Sequence, residues 1–157
     1  MRAHAVKFAM AALLAWAALG LTGCKPAQSM TDEMRNQEVI MTSEANDWQA
    51  SVSAWRSQHE EMIAGYDVLQ EGRDSAVAHD RIEEINEHAE NVSVFQASLE
   101  EHQAALAVES KRSENDRVPA HAGLWAEHQR LKGSYTMLAA THEDLMKAYA
   151  ELRGGKA

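Results

Sequence analysis

The chain predicts an all-α fold, an elongated up-down-up three-helix bundle with coiled-coil-like seams. Three observations carry this reading. Apolar residues recur at alternating spacings of three and four, the signature of one buried helical face. Pro and Gly are sparse beyond residue 30, and only two stretches gather helix-breaking residues. Nothing alternates with period two over a useful length, so no strand is expected.

The first break is Glu71-Gly72-Arg73-Asp74-Ser75, with Gly72 as a helix stop and Asp74 or Ser75 as the next N-cap. The second is Ser113-Glu114-Asn115-Asp116, followed by Pro119, which suits a first helical turn. These breaks predict helices over about 31–71, 75–112 and 117–153, with a tail at 154–157. At about 1.5 Å rise per residue each is a rod of roughly 55–60 Å.

The first helix carries a seam of Met41, Ala45, Trp48, Val52, Trp55, His59, Met62, Tyr66 and Leu69. In the second, Ile85, His88, Val92, Phe95, Leu99, His102 and Leu106 form it. His121, Leu124, His128, Leu131, Tyr135, Leu138, His142, Leu145, Tyr149 and Leu152 line the third. Three similar seams joined by short turns are buried most simply in one antiparallel bundle.

Folding the chain about each turn sets a register. Across the first turn, facing positions have numbers that add to about 147. Across the second they add to about 230. One predicted layer then holds His59, His88 and His142, and a second holds His102 and His128 opposite Ala45. Met62 follows His59 by three residues and Met146 follows His142 by four, within a turn of the first layer.

Imidazole suits Zn, Cu and Ni, and a thioether adds a preference for Cu(I). His59, His88 and His142, with Met62 or Met146, are therefore candidate metal ligands, and Glu84 and Glu87 are candidate acceptors for an imidazole N–H. No spacing matches an established metal motif: His-x-x-x-His, Glu-x-x-His and Cys-x-x-Cys-His are all missing. The competing readings are structural histidines that fix register, or a pH-responsive layer. His121 falls opposite Glu109 and Glu38 and reads as a solvated polar end layer. His79 reads as exposed, and Trp125 as partly exposed.

The chain has 157 residues and a formal charge of −9, which argues against nucleic acid and anionic lipid surfaces as partners. No nucleophile arrangement or phosphate-cradling glycine loop is recognisable, so no catalysis is expected and no cofactor is required. Zn or Cu enters only with the metal reading.

The only cysteine, Cys24, ends the run Leu21-Thr22-Gly23-Cys24. Before it lie Arg2 and Lys7 and then an apolar stretch from Phe8 to Leu21, too short for the roughly 20 residues that span a bilayer. This segment resembles the signal peptide and lipobox of bacterial lipoproteins. The resemblance implies cleavage after residue 23, lipidation of Cys24 and a short tether over 24–30. Lys25, in place of Asp, favours the outer membrane facing the periplasm. Removal of residues 1–23 takes away two basic residues and no acidic one, so the mature chain is more acidic still. The expected protein is a lipid-anchored, non-catalytic binding or structural component of the cell envelope, with an envelope protein as partner. The alternatives are a periplasmic Cu/Zn-binding protein and a pH-responsive bundle.

Overall fold

The structure, a computed structural model, describes residues 27–68, 75–112 and 114–154. Three helices, α1 (Ala27–Asp67), α2 (Ser75–Glu109) and α3 (Glu114–Gly154), pack against one another in an up-down-up bundle. The all-α three-helix class is as the heptads predict. Among the described residues no helix is long and apolar enough to cross a membrane. The segment 1–23, Cys24, Leu69, Gly72 and residues 155–157 lie outside the described residues.

Helix ends differ from the expected ones by a few residues. α1 begins at Ala27, so residues 27–30, read as tether, continue the helix. It stops at Asp67, with Val68 in a turn. α2 stops at Glu109 because the chain tightens there: Lys111 N–H donates to Val108 O at 3.2 Å and Arg112 N–H to Glu109 O at 2.9 Å. Arg117 Nε also donates to Glu109 O at 3.2 Å, satisfying a carbonyl the helix leaves open. α3 starts earlier than expected, at Glu114, which puts Pro119 inside the helix and past its first turn.

The seams bury two apolar clusters. The larger contains Ala45, Trp48, Val52, Trp55, Val92, Phe95, Leu99 and Leu131, with Tyr135 and Leu138 packed on it. The smaller contains Met62, Tyr66, Ala78, Ile85, Leu145 and Tyr149. Each fully buried Leu, Ile, Val or Met adds about 1.5–3 kcal/mol of hydrophobic free energy. The α2 seam runs one heptad further than the sequence suggests, to Ala78.

α1 and α3 run parallel, and one polar contact between them recurs every heptad. His121 Nε2 meets Gln37 Oε1 at 2.8 Å, and His128 Nε2 meets Glu44 Oε2 at 2.9 Å. The Tyr135 hydroxyl meets Ser51 Oγ at 3.0 Å, and His142 Nε2 meets Gln58 Oε1 at 2.7 Å. The next rung is Tyr149 over Gly65, where a Cβ would fall 2.4 Å from the phenol oxygen and 2.5 Å from a ring carbon. The first four α3 side chains thus project into the core and anchor on an α1 polar group. In the fifth, the ring takes the space that glycine leaves open.

Candidate metal centre

The two apolar clusters are separated by His59, His88 and His142, one from each helix, at 3%, 2% and 6% exposure. One donor atom from each ring lies within 4.8 Å of the other two. The indole of Trp55 stacks on His142 with centroids 5.2 Å apart and meets His88 edge-on at 5.9 Å. Met62, Ile85 and Leu145 close the opposite side.

The partners fix where the protons sit. Leu138 O can only accept, so His88 Nε2 at 3.0 Å carries its hydrogen and a neutral His88 keeps the Nδ1 lone pair. His59 Nε2, 2.8 Å from that Nδ1, must then donate. His142 donates from Nε2 to Gln58 Oε1. The Nδ1 atoms of His59 and His142 are left buried with no hydrogen-bond partner. Buried polar atoms rarely go unpaired, and each such atom costs about 1–3 kcal/mol.

No carboxylate enters the set to offset the loss of hydration on protonation. Burial, reinforced by His88, lowers the pKa of His59 from 6.5 to about 4. Burial, with His59 and His88 beside it, lowers that of His142 to about 4 as well. Burial lowers His88 too, against the opposing pull of Leu138 O. All three rings are neutral at pH 7, the state a metal requires of imidazole.

The layer has a route to solvent. A cavity of about 590 Å³ between α2 and α3 has His88, Phe95, Leu138 and Leu145 among its lining residues, with Arg81 and Arg130 also along it.

Met62 and Met146 lie in the adjoining apolar cluster, Met62 buried and Met146 partly so. The expected acceptor for His88 needs correction. Glu84 pairs with Arg81, and the acceptor for His88 is the Leu138 carbonyl. Backbone acceptors leave no mark in a sequence. Gln58, the acceptor for His142, was also missed. Its signal was present in the polar or small residues 44, 51, 58 and 65, each one place before a seam position, with Gln37 one heptad earlier.

The second layer forms as predicted. His128 Nδ1 lies 3.2 Å from His102 Nε2, and His128 is held between the stacked rings of Trp48 and Trp125. Trp125 is half-buried by that contact. Burial, with His128 adjacent, lowers the pKa of His102, although Glu127 opposes this. Burial raises the pKa of Glu44, but hydrogen bonds from Lys132 and His128 outweigh it and hold the carboxyl below its usual range. His79 is exposed, as expected, and pairs with Glu83.

The end layer departs from expectation. His121 and Glu109 are 3% and 2% exposed, because Gln37, Glu38 and Arg117 close over them in place of water.

Comparison with protein-family models, characterised proteins and solved structures finds no match to this chain.

Proposed function

We propose that this chain is a lipid-anchored envelope protein, non-catalytic, whose bundle binds a transition-metal ion, Zn or Cu, in the His59, His88 and His142 layer. The observation that supports it most is three neutral imidazoles from three helices, converging on one buried point, with two Nδ1 atoms unpartnered. A bound ion would accept those lone pairs. The bonds to Leu138 O and Gln58 Oε1 would hold two of the rings in the ligating tautomer.

Metal–nitrogen distances of about 2.0–2.1 Å require the rings to rotate inward and to exchange the His59–His88 hydrogen bond for coordination. Three nitrogens without a thiolate suit Zn, Cu and Ni. The anchor rests on Leu21-Thr22-Gly23-Cys24 and the leader before it, which resemble a lipobox and its signal. With α1 starting at Ala27, such an anchor would hold the bundle close to the outer membrane, facing the periplasm, and next to any envelope partner.

Purified full chain should take up one Zn²⁺ at this layer, and His59→Ala/His88→Ala/His142→Ala should abolish it. The single variant His142→Gln, which retains bulk and polarity, should weaken binding by about 10–100-fold. Unaltered affinity in both variants contradicts the proposal. Mass analysis of the membrane-extracted protein should show an acylated N-terminal Cys24.

A second reading, a pH-responsive layer, draws on the depressed pKa values of the same three histidines. It predicts acid-induced opening with no dependence on metal.

A further inference from the structure

The layer nearest the α2–α3 turn leaves two buried polar atoms without hydrogen bonds. Glu109 is 2% exposed, yet its Oε1 has no hydrogen-bond partner. His121 Nδ1 lies 3.3 Å from that oxygen and is likewise unpartnered. His121 Nε2 faces Gln37 Oε1 at 2.8 Å, which leaves Nδ1 as the ring atom turned toward the carboxylate. Both atoms have lost water, and neither has a hydrogen-bond partner. The arrangement calls for a positive species between them.

Arg117 does not supply it. Its Nη2 is 3.0 Å from Glu38 Oε1 and its Nε is bonded to the Glu109 carbonyl. It pairs with Glu38 and meets Glu109 only at the backbone carbonyl. A carboxylate oxygen of Glu38 completes a donor set with Glu109 and His121, one atom from each lying within 4.8 Å of the others. A cavity of about 290 Å³ reaches Glu109 between α2 and α3, past Val108, Arg112, Ala120 and Leu124.

We propose that Glu109, His121 and Glu38 form a second cation site, separate from the histidine triad, which takes a divalent ion of intermediate hardness, Mn²⁺ or Zn²⁺. Carboxylate favours Mn²⁺ and imidazole favours Zn²⁺, and the donor set holds no sulfur to select Cu(I). The ion would bridge the Glu109–His121 gap, with Glu38 shared between it and Arg117. The site stands independently of the triad, since the two donor sets have no residue in common.

The test is a titration of the purified full chain with Mn²⁺, following the electron paramagnetic resonance signal of the free ion. One equivalent should disappear. Glu109→Gln, which is isosteric and removes the buried charge, should weaken uptake at least about tenfold, and so should His121→Asn. His142→Gln should leave it unchanged, which separates this site from the triad. A lack of uptake of both Mn²⁺ and Zn²⁺ by the end layer overturns the proposal, as does uptake insensitive to Glu109→Gln. A His121 ring protonated on both nitrogens in the presence of excess metal also overturns it, because a proton then fills the gap.

Discussion

The triad and the end layer are built on the same frame and differ in one kind of neighbour. Each places an α3 histidine opposite an α2 residue and anchors its Nε2 on an α1 glutamine, Gln58 in one and Gln37 in the other. In the triad the α2 partner is neutral His88, and apolar clusters lie above and below. In the end layer the α2 partner is the carboxylate of Glu109. One layer gathers only imidazole nitrogens, and the other sets a buried carboxyl against a ring nitrogen. Backbone geometry therefore sets where a histidine sits. The residue facing it from α2 sets what it can bind.

Acid separates the two most strongly. The triad rings have folded pKa values below the unfolded value near 6.5, about 4 for His59 and His142. Between those limits the unfolded chain binds more protons, so stability is complete above pH 6.5 and is lost as pH falls toward 4. One such ring alone corresponds to on the order of 3 kcal/mol, and the coupled rings together to no less. Urea unfolding at pH 7 and pH 4 should show this loss, and Glu109→Gln should leave it intact. A midpoint that is flat from pH 7 to pH 4 would sink the account of the triad.

Removing the central ring comes next. His88→Ala leaves the buried His59 Nε2 without its partner and opens a cavity, at a cost of about 2–4 kcal/mol at pH 7. A loss below about 1 kcal/mol would mean that the hydrogen-bonded chain contributes little.

The glycines test the α1–α3 ladder itself. Gly65→Ala drives a methyl into the buried Tyr149 ring, and about 1–3 kcal/mol of overpacking should exceed the helix-propensity gain of about 1 kcal/mol. Gly133 has open space around it, so Gly133→Ala should stabilise by about 0.5–1 kcal/mol. Opposite signs in thermal melts support the ladder, and two stabilising substitutions would contradict it. The smallest effect belongs to His79→Ala, whose exposed pair with Glu83 should contribute within about 0.5 kcal/mol.

Heptad spacing and short turns were enough to predict the layers. His59, His88 and His142 meet, as do His102 and His128, because antiparallel neighbours with short connections have little freedom of register. The α1 rungs escaped because Gln37, Glu44, Ser51 and Gln58 lie one residue outside the seam and read as surface. The role of Leu138 O was invisible, since any residue would supply that carbonyl. Burial of Glu109 and His121 was missed because a glutamate and a histidine at a helix end read as solvated. Only the closure of Gln37, Glu38 and Arg117 over them excludes water.

The most direct test of the central claim is the imidazole nitrogen NMR spectrum of the full chain at pH 7, recorded with and without one equivalent of Zn²⁺. The account predicts three neutral rings for His59, His88 and His142, each protonated on Nε2, with the lone-pair nitrogens of all three shifting when zinc is added. An imidazolium among these three, or triad signals that zinc leaves unmoved, would contradict it.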